Sequence, residues 1–282
     1  MFQNILIRLV EILKIFTLLR RSNYSPLMNF FLKYDILRLE ACQKNENVRD
    51  SITISREENL TLLKFKLLKY FNYGIGKIEN QQVLERIKNF YADSLERHHQ
   101  ILLNSNDLES QSILEKCPDY ELIKSVAVVY LEPKENFQDF SKSGLSLIRV
   151  NEKTISEFAW LYLKCFEAEN WHPESVEENF RNIFESKGVR FYFLYFEGSP
   201  IGITGVYQHD DFYFLSAGAV LPEFRNFGFH KVSLSLRLAM CRNENPDLPI
   251  FSWAYFDSIS HKNMVACGMS LRKKLLVFQY VG

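Results

Sequence analysis

The chain has 282 residues, of which 47% are hydrophobic, and this is enough to bury one large core or two ordinary ones. Its 34 basic and 34 acidic side chains give a formal net charge of zero, which argues against a basic field for nucleic acid. The 5 cysteines are odd in number and far apart, which excludes a disulfide framework and a CxxC metal site. A cytoplasmic protein without a metal is therefore expected.

Residues 1–21, MFQNILIRLVEILKIFTLLRR, place apolar side chains at helical steps and predict an amphipathic helix. Arg8, Glu11 and Lys14 interrupt the apolar run, which leaves it too short to span a bilayer. We expect this helix to pack on its own domain or on a partner. Attachment to a membrane surface is the alternative.

The chain up to residue 135 is predicted to form a helix-rich first half. Helical spacing marks residues 58–71, ENLTLLKFKLLKYF, and residues 80–98, NQQVLERIKNFYADSLERH. The stretches QILL and KSVAVVYLEP are instead typical of β-strands, and Pro133 ends the second. The polar residues 136–145 then predict a linker to a second domain.

Residues 146–282 predict a mixed α/β sheet in one domain. The expected order is one strand, two helices, three strands, a helix, a strand, a helix and a last strand. The long helix after the three strands has an apolar face that should pack on the sheet. That predicted face consists of Phe229, Val232, Leu236, Ala239 and Met240.

The stretch AGAVLPEFRNFGFHKV, residues 217–232, leads from a strand into that helix through Pro222, Arg225 and Gly228. The first turn of a helix has unpaired N–H groups and the positive end of the dipole, so a turn without bulk suits a phosphate. Arg225 can add charge or pin the loop. One glycine is a weak signal, and spacing alone favours an ordinary strand-to-helix loop.

Two motifs in this half resemble those of the GNAT N-acetyltransferase superfamily. VLPEFRNFGFHKVSL resembles its acetyl-CoA signature, V-x-P-x-x-R-x-x-G-x-(G or A), and His230 departs from the last small position. SISHKNMVACGMSL resembles its S-x-x-N-x-x-x-x-G-(F or M) segment. The matching residues are Val220, Pro222, Arg225, Gly228, Ser260, Asn263, Gly268 and Met269.

The resemblance implies a GNAT acyl-CoA N-acyltransferase fold for residues 146–282 and acetyl-CoA as co-substrate. In that fold the strand before the proline splays from its neighbour after about residue 216, and the pantetheine arm lies in the gap. The arm is then expected along Gly218, Ala219 and Val220, with Asn263 reaching it from the short helix. The pyrophosphate is expected on Arg225, Asn226, Phe227, Gly228, Phe229, His230 and Lys231.

The end of the first half, from His98 to Pro133, resembles the closing part of a degenerate GNAT repeat. Tandem proteins with a silent first half and an active second half exist in this superfamily. An unrelated helical cap is the alternative interpretation of the first half.

Catalytic residues are less clear from the sequence. The superfamily often has a tyrosine proton donor at the position of Met264, and methionine cannot donate a proton. Candidate donors nearby are Tyr255, Ser260 and Cys267. Candidate bases are Asp210, Asp211, Tyr213, Glu167 and Glu169, and surface carboxylates are the commoner explanation for the acidic ones. Trp171 is a candidate for the acceptor pocket or for the core.

The function implied is transfer of an acetyl group from acetyl-CoA to the primary amine of a small molecule or a protein, by direct attack. An acyl-CoA-binding module without turnover, acting through a partner, is the alternative, and Met264 and His230 favour it.

Overall fold

A computed structural model of the chain describes residues 29–67, 69–140, 144–168 and 173–282. The predicted N-terminal amphipathic helix, Glu169 and Trp171 lie outside these ranges. Within them, none of the helices combines the length and the apolar character that crossing a membrane requires.

The described part of the first half begins with helix α1 and contains five strands. Its elements are α1 (Asn29–Cys42), β1 (Ile52–Arg56), β2 (Leu60–Phe65), β3 (Tyr73–Gly76), α2 (Gln81–Phe90), β4 (Gln100–Asn104), α3 (Leu108–Glu115) and β5 (Tyr120–Leu131). The strands predicted from QILL and KSVAVVYLEP are thus confirmed as β4 and β5. The helix predicted over residues 80–98 is confirmed as α2, but it ends at Phe90.

The helix predicted over residues 58–71 is wrong, because this segment contains strand β2. Leu60 and Leu62 belong to the core on one face of the sheet, and Leu63 and Phe65 belong to the core on the other face. A strand that is buried on both faces is continuously apolar, so its pattern lacks the alternation that would distinguish it from a buried helix.

The second half follows the predicted order of elements. They are β6 (Leu145–Arg149), α4 (Ile155–Cys165), α5 (Pro173–Phe184), β7 (Val189–Phe196), β8 (Ser199–Gln208), β9 (Tyr213–Val220), α6 (Phe229–Glu244), β10 (Ile250–Tyr255), α7 (Ile259–Ala266) and β11 (Ser270–Tyr280). The predicted apolar face of α6 needs a correction. Phe229 and Val232 are buried, and Leu236 and Met240 are half-buried against the core. The fully buried apolar side chains of the rest of the helix are Leu234, Leu238 and Cys241, which the prediction did not include.

The strands of both halves form one mixed sheet, whose order within the described ranges is β1-β2-β3-β4-β11-β5-β10-β9-β8-β7-β6. The last strand of the second half, β11, lies between β4 and β5 of the first half. In turn β5 pairs with β10 of the second half. Strand β11 of the second half is therefore inserted among the strands of the first half, and β5 of the first half is inserted between β11 and β10 of the second. The division at residues 136–145 stays a prediction.

Helices cover the sheet on both faces. On one face α1, α4 and α5 pack on a core shared by the two halves, where the rings of Phe30 and Phe251 stack with centroids 4.2 Å apart. On the other face α2 and α3 cover the first half, and α6 and α7 cover the second. A helix of the first half, α1, thus lies over strands of the second half.

Candidate functional site

Strands β9 and β10 separate and leave a gap in the sheet. They pair in parallel only where Tyr213 and Phe214 meet Ile250 and Phe251. Beyond this point residues 252–255 pair with β5, whereas β9 continues along β8. At the narrow end of the gap the Ser252 hydroxyl donates a hydrogen bond of 3.0 Å to the Leu215 carbonyl. The splay implied by the resemblance is present, and it begins slightly earlier than residue 216.

A β-bulge lies in β9 beside this gap. Two residues of β9, Ala217 and Gly218, oppose the single Thr204 of β8, and Ala217 has a positive φ of 47°. The bulge leaves carbonyl groups for a side chain to satisfy. The Arg237 Nη1 atom of α6 donates to the carbonyls of Ser216 at 3.2 Å and Gly205 at 3.4 Å.

Arg237 is a buried cation, with only 1% of its surface exposed. Its Nε donates to the Ser233 carbonyl, and no carboxylate of the described residues lies within ion-pair distance of it. Burial lowers its pKa to about 10, so the guanidinium keeps its charge at neutral pH. A Cβ on Gly218 would lie 2.8 Å from Nη2, so only glycine leaves room for this side chain.

The loop after β9 exposes the N-terminus of α6. A 3₁₀ turn at Pro222–Phe224 is followed by positive φ at Asn226 (68°) and Gly228 (81°). Gly228 is the N-cap residue, and no side chain of the described residues caps the helix. A Cβ on Gly228 would meet nothing within 4 Å. The first amides of α6 therefore face open space, as an anion site requires.

The Arg225 side chain pins this loop. Its Nη1 lies 2.7 Å from Glu167 Oε2, and its Nη2 donates to the Cys165 carbonyl at 2.9 Å. Both partners lie at or just after the end of α4. Of the two roles that the sequence left open for Arg225, the structure shows the contact that pins the loop.

The two motifs meet through a hydrogen bond between His230 and Asn263. Asn263 Nδ2 donates to His230 Nδ1 over 3.0 Å. Burial, with a smaller contribution from the charge of Arg237, lowers the pKa of His230 to about 4, so the imidazole is neutral and can accept this bond. The departure from the signature at position 230 thus has a structural role.

Two of the three candidate proton donors line the cavity that opens from the gap, and the third does not. Tyr255 and Ser260 line the cavity that opens from the gap, as does the buried Met264. The Tyr255 hydroxyl accepts a hydrogen bond of 2.7 Å from Lys124 Nζ of the first half. Cys267 is fully buried, its Sγ faces the Lys231 carbonyl, and burial raises its pKa to about 11. Cys267 does not line the cavity.

The candidate bases lie away from the cavity. Asp210 and Asp211 lie in the β8–β9 turn, and Asp211 is 3.7 Å from Lys33. Tyr213 is buried beside Glu244, and burial raises its pKa to about 12. Glu167 pairs with Arg225. The structure therefore does not bring these four residues to the gap.

The gap opens into a cavity of about 880 Å³ that reaches the first half. Gly218, Ala254 and Met264 line it at the gap, and side chains of α1 and α5 line it on the opposite side. The residues of α1 and α5 that define this far wall are Tyr34, Asp35, Arg38, Cys42, Ser175, Val176, Glu178, Asn179, Phe180 and Asn182. One cavity thus joins the gap between β9 and β10 to a second compartment.

The far wall contains a buried ion pair that sequence reasoning missed. Asp35 accepts hydrogen bonds from the Tyr73 hydroxyl at 2.9 Å and from Arg38 Nη1 at 3.2 Å. Burial raises the pKa of Asp35, and the charge of Arg38 opposes this. Arg38 also lies over the Phe71 ring at 4.7 Å. The sequence signal that could have indicated this ion pair is an Asp and an Arg three residues apart within the largely apolar stretch NFFLKYDILRLEAC.

The first half has no comparable gap between its parallel strands β3 and β4 in the described residues. The parallel strands β3 and β4 stay paired through residues 73–75, and a Cβ on Gly74 would lie 2.8 Å from the Leu62 side chain. Helix α2 is capped by Asn80, whose side chain accepts from the Val83 N–H at 3.1 Å. In the described chain, the gap and the uncapped helix therefore occur together in the second half.

Comparison with solved structures finds similar folds across both halves. A functionally unknown conserved protein from Staphylococcus epidermidis has a TM-score of 0.62 and 15% identity, over 82% of this chain and 94% of that one. A GCN5-related N-acetyltransferase from Kribbella flavida has a TM-score of 0.58 and 12% identity, over 88% of this chain and 96% of that one. A tandem GNAT protein from the clavulanic acid biosynthesis pathway has a TM-score of 0.55 and 11% identity, over 81% of this chain and 83% of that one.

No family model matches the chain, and no curated protein does. At these identities the solved structures establish the fold alone. Together with the splayed strands and the bulge, they show that the chain has the GNAT fold, in the mixed α/β form predicted from its motifs.

Proposed function

We propose that the chain is an acyltransferase that transfers an acetyl group from acetyl-CoA to a primary amine. The observation that supports this most directly is the gap between β9 and β10, which runs from the uncapped N-terminus of α6 into the 880 Å³ cavity. The cavity offers room for a co-substrate and an acceptor at once.

The co-substrate would bind along this gap. The amides of residues 228–231 would hold the pyrophosphate, because they carry the positive end of the α6 dipole. The edge of β9 at Gly218, Ala219 and Val220 would pair with the amides of the pantetheine arm, as a strand edge pairs with an extended peptide. Asn263 is held in place by His230 beside this path.

The acceptor would enter from the far wall. Glu178 provides a carboxylate there for an ammonium group, since Asp35 is already paired with Arg38. The aromatic rings of Tyr34 and Phe180 provide apolar surface. After the amine has lost a proton to water, its lone pair attacks the thioester carbonyl. A C–N bond forms, the C–S bond breaks, the sulfur leaves with the bonding electrons, and the attacking nitrogen loses its second proton to water. Small-molecule and protein amines both fit this chemistry, and a cytoplasmic location stays a prediction.

Binding without turnover is the second candidate, because the donor position is occupied by Met264, whose side chain is 5% exposed. The two are separated by incubating the purified chain with acetyl-CoA and a panel of amines, and by measuring thiol release and product mass. Acetylated product supports the transferase. Tight acetyl-CoA binding with no product from any amine supports the binding module, and failure to bind any acyl-CoA rejects both.

A further inference from the structure

The guanidinium of Arg237 lies at the narrow end of the gap. The arm of a CoA molecule would enter beside Val220, and the pairing of Phe214 with Phe251 closes the other end. The sulfur of the bound molecule would therefore lie near the bulge at residues 216–218. This is where Arg237 donates to the Ser216 carbonyl and where its Nη2 approaches Gly218.

The positive charge of Arg237 is not explained by its hydrogen bonds. Its Nε and Nη1 atoms donate to three carbonyls, but carbonyl dipoles are not a counter-ion, and burying an unpaired charge is costly. The remaining nitrogen, Nη2, lies beside Gly218 at the gap. Arg242, on the same helix, also donates to carbonyls, at 2.7 Å to Leu248 for example, but it lies at the half-buried edge of the helix and does not line the cavity. Arg237 is fully buried, lines the cavity, and has no carboxylate partner among the described residues.

The titratable groups around Arg237 are neutral at pH 7. Burial lowers the pKa of His230 to about 4, and it raises the pKa of Cys241 to about 12 and that of Cys267 to about 11. Burial also raises the pKa of Tyr34, whose hydroxyl lies 3.2 Å from Ser216 Oγ at the bulge. Asp35, Arg38 and Glu178 belong to the far wall of the cavity. The charge at the narrow end therefore comes from Arg237.

We infer that the Arg237 guanidinium stabilises the CoA thiolate that leaves during the transfer, in place of a proton donor at position 264. The inference rests on the proposed function. When the C–S bond breaks, the sulfur keeps the electron pair and becomes a thiolate beside the cation, and no proton has to reach it in that step. Met264 is then no obstacle to turnover, because the negative charge is stabilised rather than neutralised by protonation.

The direct test is the thiol pKa of CoA bound to the protein. The ultraviolet absorbance of the thiolate is titrated as the difference between complexes with CoA and with desulfo-CoA, which lacks the sulfur. In the wild type we expect the thiol pKa to lie about one to three units below that of free CoA, as for a group within 4–6 Å of an opposite charge. Arg237→Gln should abolish most of the shift, and Arg237→Lys should keep most of it.

Arg242→Gln is the matched control, since it removes a carbonyl-binding arginine from the same helix, and it should leave the thiol pKa unchanged. Turnover gives a second readout: Arg237→Gln should lower kcat about ten- to thousandfold with little change in the KM for acetyl-CoA. A wild-type thiol pKa at or above that of free CoA overturns the inference, even if Arg237→Gln does not fold. An unchanged thiol pKa in folded Arg237→Gln also overturns it. Failure to bind CoA rejects the proposed function instead.

Discussion

At the residue scale, two histidines with lowered pKa make stability depend on pH. His99 Nε2 lies 2.7 Å from the Tyr120 hydroxyl and His230 accepts from Asn263. Burial lowers the pKa of both to about 4. Because the unfolded chain protonates these groups near pH 6.5, their contribution is fully present above that pH and is lost as the pH falls towards 4.

We therefore expect the free energy of unfolding to fall between pH 6.5 and pH 4, by up to about 3 kcal/mol for each histidine. Urea unfolding at a series of pH values measures it. His99→Gln and His230→Gln should each flatten the slope, most visibly between about pH 6.5 and pH 5, where carboxylates titrate little. Equal slopes in the wild type and both variants would show that these side chains are not buried as neutral groups.

Some site residues could be predicted from neighbouring sequence, and others reach the site only through tertiary contacts. Gly228 and Asn263 lie in short motifs whose geometry depends on neighbouring residues, so the sequence could indicate them. Asp35 and Arg237 face the cavity only because distant strands and helices meet there. The sequence around Arg237, SLSLRLAMC, shows a single charge in a helix that is buried on several sides. Nothing in this stretch indicates that the side chain lies at the gap between β9 and β10.

At the element scale, α1 lines the far wall of the cavity, where we propose that the acceptor enters, and it is anchored by Phe30, which is 2% exposed. Phe30→Ala should destabilise the protein by about 3–5 kcal/mol, as for other buried phenylalanines. It should also raise the KM for the amine acceptor more than it weakens CoA binding, because Phe30 anchors the helix of the far wall and reaches the gap only at its closed end, where it packs on Phe214 and Phe251. Chemical unfolding, calorimetry and steady-state kinetics measure these effects.

Leu108→Ala is a suitable control for Phe30→Ala, since Leu108 is 71% exposed and should change stability by less than about 0.5 kcal/mol. Equal losses of CoA affinity and acceptor affinity in Phe30→Ala would contradict the division of the cavity into two compartments.

The second-half elements followed from the sequence because their patterns are local. Strands β7 and β8 are separated by a glycine turn, and α5 begins with Pro173. In the first half, β2 has core residues on both faces, so its pattern does not distinguish a strand from a buried helix. The placement of β11 between β4 and β5 joins residues more than a hundred positions apart, which no local pattern encodes.

At the scale of the whole molecule, the exchange of strands predicts that the two halves fold together. A chain that ends at residue 269 lacks β11, so β4 and β5 lose their shared neighbour and the core residues Leu275 and Val277 are missing. We expect such a chain to lose cooperative unfolding in both halves. Circular dichroism during thermal and urea unfolding measures this.

A chain that ends at Tyr280 is the control for this truncation, because it removes two exposed residues beyond the last strand. If the first half keeps its own sharp transition in a chain ending at residue 269, while the second half unfolds separately, the halves are independent domains, as the predicted linker at residues 136–145 would suggest.

The central claim is that the second half binds acetyl-CoA with its pyrophosphate on the N-terminus of α6. Gly228 and Gly198 make a matched pair, since both have φ of 81° and neither would place a Cβ within 4 Å of another group. An aspartate should therefore strain the backbone equally at both positions, but only at 228 would it place a carboxylate against the pyrophosphate.

Calorimetric titration with acetyl-CoA compares the wild type, Gly228→Asp and Gly198→Asp. We expect the wild type and Gly198→Asp to bind with similar affinity and Gly228→Asp to bind at least tenfold more weakly, a loss of about 1.4 kcal/mol or more. Unchanged affinity in a folded Gly228→Asp, or an equal loss in Gly198→Asp, would contradict the site.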